Sequence, residues 1–228
     1  MNQNSPQKNR KPISRKIQTL TYQESNALLA ALCDIASAAN HTPRKIRNYT
    51  IALLMLDAGL RIGEVCGLQI RDLIYNGEPV LALTVRPEIS KSKAERTLPL
   101  SSRLQDAIRL MISQLPNAGV LPGQRPIFYG GKLKNSFTDI PEVVYRPITT
   151  RQVQRIIGQA AGAAFGRSVH PHSLRHTFGT RLAKVLPIKG VQDALGHRQL
   201  SSTQVYIHPD SEDLKNGIQA ITEERTQT

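Results

Sequence analysis

Apolar residues recur at steps of three and four along most of this chain, and strand-like spacing replaces this period only once. Such steps put apolar side chains on one face of a helix, so four amphipathic helices are predicted. Their apolar positions are Leu28, Leu32, Ile35 and Ala39; Ile46, Tyr49, Leu53 and Leu56; Leu104, Ile108, Met111 and Leu115; and Val153, Ile157, Ala160 and Ala164. Residues 81–85 and 96–100 have the pattern of short strands instead. The predicted fold class is mainly α (α+β), with a small antiparallel β-sheet.

Capping and turn residues predict where several elements begin and end. Thr21 and Glu24 have the spacing of a capping box, and Pro43 suits the first turn of a helix. Gly59 is expected to end that second helix. Three further helices are predicted toward the C-terminus, at about 171–186, 188–195 and 210–221.

The two predicted strands flank a basic hairpin tip. The tip has the sequence Ser90-Lys91-Ser92-Lys93, and the turn Tyr75-Asn76-Gly77-Glu78 precedes the hairpin. The hairpin therefore presents two lysines at one turn.

The charge of the chain points to a polyanionic partner. Its 30 Lys and Arg residues outnumber 17 Asp and Glu residues, which gives a formal net charge of +13. Because Lys and Arg release condensed counterions when they neutralise phosphates, nucleic acid is the favoured partner. Nonspecific binding to ribosomes, RNA or acidic membranes is the alternative. Residues 1–16 carry only basic charges, and we interpret them as a disordered arm that binds DNA through Lys8, Arg10, Lys11, Arg15 and Lys16.

The apolar runs and the cysteines indicate a cytoplasmic protein. The longest apolar run, residues 51–56, is far too short to span a bilayer, and the basic N-terminus has no apolar segment of the secretory kind. Cys33 and Cys66 fit neither a CxxC nor a zinc-finger spacing, so both are expected to be reduced. We therefore expect no membrane partner, and a cytoplasmic location associated with the nucleoid if the partner is DNA.

His172 and Arg175 are the first pair that suggests chemistry. On a helix that begins near Pro171 they lie at i and i+3, so they share a face near the helix N-terminus, where the helix dipole favours an oxyanion or a phosphate. A solvated basic face is the ordinary alternative. Zinc binding by His172 and His176, at i and i+4, is another, although no HExxH glutamate accompanies them.

Two further segments carry groups suited to phosphate chemistry. His197 follows Gly196, which is expected to cap a helix, and Tyr206 lies nine residues after His197. Arg61 follows a helix-ending glycine, and Glu64 can hold its guanidinium by a charge-assisted hydrogen bond. Because a lone tyrosine is usually a packing residue, the interpretation of Tyr206 as a nucleophile depends on this company.

Taken in order, these segments resemble the signature motifs of the tyrosine recombinase (phage integrase) family. They are Ala58-Gly59-Leu60-Arg61-Ile62-Gly63-Glu64, His172-Ser173-Leu174-Arg175-His176, and Leu195-Gly196-His197 followed by Tyr206. Each motif alone is loose, but the ordered set is specific. The resemblance extends from about Thr21 to His208 and implies the fold of a tyrosine recombinase catalytic domain.

The resemblance also implies a role for each matching residue. Tyr206 attacks the scissile phosphate and becomes joined to the 3′ phosphate. Arg61 and Arg175 clamp the nonbridging oxygens of that phosphate. His172 and His197 complete the pocket through proton transfer and hydrogen bonding. The reaction is a metal- and ATP-independent strand transfer with no cofactor, and the sequence contains no Walker-type GxxxxGK[ST] motif.

Lys91 corresponds to the general acid of the family, which protonates the departing 5′ oxygen. Pro99, eight residues later, fits the hairpin motif of the family and favours Lys91 over Lys93, which is assigned to DNA binding. Ser90 and Ser92 stand where the family usually has glycines. The supporting residues that the resemblance implies are Glu64 and His176.

Double-stranded DNA and a tetrameric synapse are the partners that the resemblance implies. Most family members carry a helical domain before the catalytic domain, whereas here only a short arm precedes Thr21. We therefore expect a minimal member, with residues 17–228 as its catalytic domain, that relies on its arm or on accessory DNA-binding proteins. Residues 209–228, with the apolar stripe Leu214, Ile218 and Ile221, are expected either to dock on a neighbouring protomer or to pack in cis.

The leading hypothesis is a site-specific recombinase that integrates, excises or inverts a DNA segment. A DNA-binding accessory or regulatory protein is one alternative, although a mere binder has no need of Tyr206. A tyrosine topoisomerase would use the same chemistry on one duplex, and a zinc hydrolase built on the histidines is the most distant alternative.

Overall fold

The computed structural model describes residues 18–34, 41–114, 123–134, 143–197, 199 and 201–204. The helices in this part of the chain are α1 (Tyr22–Leu32), α2 (Pro43–Leu56), α3 (Ile62–Gly67), α4 (Ile70–Leu73), α5 (Ser102–Ser113), α6 (Thr150–Phe165), α7 (Pro171–Leu182), α8 (Ile188–Leu195) and α9 (Ser201–Gln204). The strands are β1 (Ile74–Tyr75), β2 (Glu78–Pro79), β3 (Ala82–Val85), β4 (Arg96–Pro99), β5 (Tyr129–Lys134) and β6 (Val143–Pro147). The predicted class, mainly α with small antiparallel pairing, is confirmed.

Helix α2 lies at the centre of the core. Every residue from 50 to 56 is buried, and the helix packs against α1, α5 and α7. The apolar run that is too short for a bilayer is thus the buried part of this helix. Burying one such side chain contributes about 1.5–3 kcal/mol to stability. The buried residues of α2 therefore stabilise the packing of α1, α5 and α7 against it. None of the helices in the described part of the chain has the length and apolar character needed to cross a membrane.

The predicted starts of the first two helices are confirmed. At the start of α1, the Thr21 hydroxyl accepts from the Glu24 amide at 3.1 Å, and the Glu24 carboxylate accepts from the Thr21 amide at 2.9 Å. Helix α2 begins at Pro43, and Gly59 follows its end in the left-handed region, with φ +60°. These two hydrogen bonds between Thr21 and Glu24 satisfy backbone amides at the helix start that have no partner within the helix.

Two helices end earlier than predicted. Helix α1 stops at Leu32 because Cys33 adopts an extended conformation, and the predicted continuation through Ile35 and Ala39 lies outside the described residues. Helix α7 stops at Leu182 rather than near residue 186. Pro187 disfavours helical geometry in the residue before it, so the chain turns before α8 begins.

The hairpin of β3 and β4 is confirmed, with Leu83 paired to Leu98 and both residues buried. The short pair β1–β2 closes over Asn76 and Gly77, which both have positive φ as a tight hairpin turn requires. The pair β5–β6 was not predicted, because its segment looks like a Gly/Pro-rich connection. The single predicted sheet is therefore replaced, in the described ranges, by three separate two-stranded sheets.

Several predictions fall on parts of the chain that the structure does not describe. The basic arm at residues 1–16, the helix at 210–221 and the docking segment at 209–228 all lie outside the described residues, and so does Tyr206. Cys33 and Cys66 are both free thiols, as predicted.

Candidate functional site

Arg61 and Glu64 form the pair that their spacing predicts. Arg61 lies just before α3, where its backbone amide donates to Glu64 Oε2 at 2.7 Å and its Nη1 donates to Oε1 at 3.0 Å. The Glu64 side chain is only 1% exposed. Burial alone would raise its pKa, but hydrogen bonding and charge from Arg96, with the Arg61 amide and Arg175, lower it below the usual value. Glu64 is therefore a buried carboxylate that stays ionised among guanidiniums.

Arg175 connects α7 to the ends of α2 and α8. It lies on α7 and is almost fully buried, with its Nη1 donating to the Gly59 carbonyl beyond α2. Its Nη2 donates to the Leu195 carbonyl at the end of α8, at 2.6 Å. Nη1 also lies 4.0 Å from Glu64 Oε2. These contacts bring the two arginines of the first and second motifs to the same carboxylate.

His197 completes this cluster from the turn after α8. Gly196 ends that helix in the left-handed conformation, with φ +61°, as predicted for a helix cap. The ring of His197 then lies with Nε2 3.3 Å from Arg175 Nη2 and Nδ1 3.0 Å from the hydroxyl of Thr203. Burial, and then the charges of Arg175, Arg61 and Arg96, lower the pKa of His197 to about 4. The imidazole is therefore neutral at neutral pH.

His172 lies one turn before Arg175 and is the more exposed of the two. Its ring stacks on that of His170, with centroids 5.1 Å apart and an interplanar angle of 14°. Burial, followed by the charges of His170, Arg175, Arg61 and Lys91, lowers the pKa of His172. The positive charges of these groups therefore disfavour protonation of the His172 ring.

The supporting residue His176 is half-buried one turn further along α7. Burial, and then the charges of His172 and Arg175, lower its pKa as well. Neither it nor His172 belongs to a group of three or more His, Cys, Asp or Glu able to hold a metal, in the ranges that the structure describes.

Lys91 is exposed in the turn that joins β3 to β4. The serines that replace the family glycines hydrogen-bond each other, with Ser90 Oγ 3.0 Å from Ser92 Oγ. Lys93 is also exposed and adopts a left-handed conformation, with φ +54°. The tip therefore exposes both lysines to solvent. The charge of Lys91 is one of those that lower the pKa of His172.

The structure thus brings together most of the residues predicted for the site: Arg61, Glu64, Lys91, His172, Arg175, His176 and His197. Tyr206 and the arm residues lie outside the described residues. Two participants were missed by sequence reasoning, namely Arg96, which binds Glu64, and His170, which caps α7 and stacks on His172. Arg96 has no local pattern that could reveal it, whereas His170 could have been found from its place before Pro171, where a helix cap is expected.

Comparison with known proteins places this arrangement in a family. Residues 18–213 match the sequence profile of the phage integrase family. The chain is 32% identical over 210 residues to a protein named tyrosine recombinase XerC from Halalkalibacterium halodurans, covering 89% of this chain and 61% of that protein. The chain therefore spans less than two thirds of the length of that relative.

Solved structures share the fold. The crystal structure of XerA recombinase superimposes with a TM-score of 0.61 at 24% identity, covering 92% of this chain and 65% of that one. XerH site-specific recombinase bound to a palindromic difH substrate, a post-cleavage complex, gives 0.62 at 21% identity, covering 90% of this chain and 53% of that one. With the profile match over residues 18–213, these findings show that the chain belongs to the phage integrase family.

Proposed function

We propose that the chain is a site-specific DNA recombinase that cuts and rejoins strands through a covalent 3′-phosphotyrosyl intermediate formed on Tyr206. Its main support is the convergence of Arg61 and Arg175 on Glu64, beside His172 and His197. One buried carboxylate cannot neutralise both of these guanidiniums, so the cluster retains positive charge for an anionic ligand. Integration, excision and inversion of a DNA segment all use this chemistry.

The two guanidiniums suit the transition state of phosphoryl transfer. Attack on a phosphodiester places negative charge on its nonbridging oxygens, and arginine forks stabilise that charge without a metal. Arg61 keeps about a fifth of its side chain exposed, at 19%, so it can meet a phosphate from solvent. Arg175 is held by carbonyls at two helix ends, which preorganises it.

Proton transfers are assigned to two other groups, His172 and Lys91. A phenol has a pKa near 10 and needs a base or nearby cations to become a nucleophile. His172 has a lowered pKa, so at neutral pH it is unprotonated and can accept the proton of Tyr206. Lys91 on the hairpin tip can protonate the departing 5′ oxygen. His197 contributes hydrogen bonding, with Glu64 and His176 in support.

Double-stranded DNA is the proposed substrate, and a tetramer is the proposed synaptic assembly. XerH, whose fold is similar, has been captured with its DNA substrate after cleavage. We assign residues 17–228 to the catalytic domain, residues 1–16 and Lys93 to DNA binding, and residues 209–228 to docking on a neighbouring protomer. Accessory DNA-binding proteins belong to the same proposal, and DNA binding places the chain at the nucleoid.

A covalent trap tests this function and identifies the target sequence in the same experiment. The full chain is incubated with a pool of duplexes that contain a randomised segment and a single nick. Cleavage near a nick releases a short piece, so the protein stays joined to the DNA and can be recovered after denaturation in detergent. We expect the wild type to enrich a defined sequence as a 3′-linked adduct.

The Tyr206→Phe variant is the control for the nucleophile. It should bind the enriched sequence and form no adduct, because it lacks the attacking oxygen. An adduct that survives in this variant overturns the assignment of Tyr206. If the wild type instead relaxes supercoiled plasmids of unrelated sequence, the chain is a topoisomerase rather than a recombinase.

A further inference from the structure

Arg96 makes a two-pronged ion pair with Glu64 in the middle of the cluster. Its Nη2 lies 2.7 Å from Oε2 and its Nη1 lies 3.0 Å from Oε1. The third donor, Nε, bonds the carbonyl of Ala194 in α8 at 3.1 Å. Only 7% of the Arg96 side chain is exposed. All three guanidinium nitrogens of Arg96 therefore donate to protein groups.

The position of Arg96 alters what Glu64 can do to Arg61. Both oxygens of Glu64 accept from Arg96, whereas the side chain of Arg61 donates to Oε1 alone. Arg96 therefore supplies the charge that balances the buried carboxylate. Without it, Arg61 and the more distant Arg175 would be left to neutralise Glu64. The guanidinium of Arg61 would then be drawn toward the buried carboxylate and away from solvent.

Arg96 also fixes two other parts of the site. It is the first residue of β4 and pairs with Val85, the last residue of β3, so its contacts hold the hairpin where the strands meet the loop that carries Lys91. Its side chain packs under the turn after α8, where a Cβ added to Gly196 would lie 3.0 Å from Arg96 Cδ. His197 follows that turn directly. One side chain thus connects the hairpin, the Arg61 pair and the His197 turn.

We propose that Arg96 is a positioning residue of the site, which balances the charge of Glu64 so that Arg61 remains available to the phosphate, and which holds the hairpin of Lys91 against the turn of His197. The inference rests on the proposed function for the reaction that it serves. The arrangement of the cluster itself can be measured without DNA.

The chain contains a matched control on the opposite strand of the same hairpin. Arg86 follows β3 and forks onto Asp72, with Nε 2.8 Å from Oδ1 and Nη2 3.0 Å from Oδ2. Nη2 also lies 3.3 Å from the Gly67 carbonyl, and Asp72 accepts from the Gln69 amide as Glu64 does from the Arg61 amide. Both ion pairs are two-pronged, although Arg86 uses Nε and Nη2 where Arg96 uses Nη1 and Nη2, and that of Arg86 touches none of the residues proposed for catalysis.

The experiment compares R96M, R96K, E64Q, the double variant R96M/E64Q and the control R86M in the full chain. Three quantities are measured: the midpoint of thermal unfolding, the pKa of the His197 imidazole by NMR of labelled histidine, and the rate of adduct formation on the nicked duplex that the wild type selects. The first two need no DNA.

We expect R96M and R86M to lower the unfolding midpoint alike, because each leaves a buried carboxylate without its main partner. Only R96M should raise the pKa of His197, since Arg96 is among the cations that lower it. R96M should also slow adduct formation by ~100-fold, the scale of a misplaced catalytic group, while R86M stays near the wild type.

The lysine and double variants separate charge from geometry. R96K keeps a cation near His197 but cannot fork onto both oxygens of Glu64, so its His197 pKa should stay near that of the wild type while its adduct rate stays low. Removing the buried charge in R96M/E64Q should restore the rate by ~10-fold over R96M, because Arg61 is released.

Either of two results overturns the inference: an unchanged His197 pKa in R96M, or equal adduct rates in R96M and R86M. Failure of the wild type to form any adduct overturns the proposed function instead. In that case the His197 titration and the stability of R96M against R96M/E64Q still decide whether Arg96 orders the cluster.

Discussion

His197 has both of its ring nitrogens in contact with protein groups, and one of them fixes its protonation. A guanidinium can only donate, so the Nε2 that faces Arg175 at 3.3 Å must accept. The proton of the neutral ring then lies on Nδ1, which donates to the buried Thr203 hydroxyl at 3.0 Å. Arg175 therefore sets the tautomer of His197, and Thr203 accepts from Nδ1 and links the ring to α9, the helix just before Tyr206 in the sequence.

Replacing Thr203 with valine removes that acceptor and preserves the shape of the side chain. We expect the variant to lose about 1–3 kcal/mol of unfolding free energy, because the Nδ1–H donor is left buried without a partner. The nitrogen chemical shifts of the His197 ring should also change, since Nδ1–H loses its hydrogen-bond acceptor. Thr203→Ser keeps the hydroxyl and is the control; equal spectra for the two variants would contradict the assigned tautomer.

The histidines also give stability a pH dependence of known sign. The pKa of His197 is lowered from 6.5 to about 4, and those of His172 and His176 are lowered too. Above pH 6.5 these rings are neutral in the folded and unfolded chains, so their contribution is fully present. As pH falls toward 4 the unfolded chain binds protons that the folded chain does not, so unfolding free energy decreases.

Urea unfolding at about pH 7.5 and about pH 5 measures this difference. The lower limit stays above the range in which Glu24 and Glu64 titrate, because the pKa of each carboxyl is lowered from 4.5. His197→Asn should make the difference smaller. A wild type equally stable at both pH values would show that the imidazoles are not shielded from protonation.

At the scale of residues, the sequence predicts contacts made over one helical turn and misses those made across the fold. Arg61 and Glu64 lie three residues apart, so their pairing follows from the geometry of a helix start. Arg96 reaches the same carboxylate from 32 residues away, and Arg175 reaches the Gly59 carbonyl from 116 residues away. Only the packing of β4 and α7 against α2 and α3 creates those contacts.

Helix ends, rather than helix middles, build the site. Gly59 follows the end of α2 in the left-handed conformation, Arg61 is the N-cap residue of α3, and Gly196 is the C-cap residue of α8. Backbone carbonyls at such ends have no partner within the helix, and Arg175 donates to two of them. The carbonyls that follow α2 and end α8 therefore hold Arg175 in place.

Gly59 shows how tightly these elements meet. A Cβ at this position would lie 2.3 Å from the ring of Phe178 on α7, and its φ of +60° is one that side chains rarely adopt. We expect Gly59→Ala to lower unfolding free energy by more than the roughly 1–2 kcal/mol of a left-handed alanine alone, because the ring must move. Since Gly59 also accepts from Arg175, adduct formation should fall too.

Gly166 is the matched control, because it ends α6 with φ +75° and has open space around its Cβ position. Gly166→Ala should cost only the backbone strain and leave adduct formation unchanged. Equal losses of stability in the two variants, measured by urea unfolding, would mean that the contact with Phe178 is unimportant.

The lengths of elements were less predictable than their existence. Ile35 and Ala39 continue the apolar period of α1, yet the helix ends at Leu32 because Cys33 turns extended and is buried. The apolar period indicates which side chains can face the core, but it does not indicate the residue at which a helix ends. The pair β5–β6 escaped prediction for a related reason: a strand rich in glycine gains its order from pairing with its neighbour rather than from its own composition.

At the scale of the whole molecule, the order of the motifs indicates the family and the packing builds the site. The motif of Arg61 follows the central helix α2, and those of Arg175 and His197 lie more than a hundred residues later. Helix α7 packs on α2 and on α8, which brings the three motifs to one face. Lys91 also acts electrostatically on this face, so some of the basic residues that give the chain its net charge of +13 lie where a phosphate is proposed to bind.

The remaining charge includes the five Lys and Arg residues of the arm at residues 1–16, whose proposed role can be measured through salt. If the arm binds DNA, its removal should weaken binding to duplex DNA and make the slope of log affinity against log salt less negative, by up to about 0.9 for each phosphate that the arm neutralises. Gel-shift titrations over a series of salt concentrations give both quantities.

A variant of full length with those five residues changed to glutamine separates charge from length, and it should behave like the deletion. Unfolding midpoints should match the wild type in both, because both variants leave unchanged the contacts of Leu20 and the capping box at Thr21. Identical affinity and slope in all three proteins would show that the arm does not touch DNA and that the folded part supplies the whole interface.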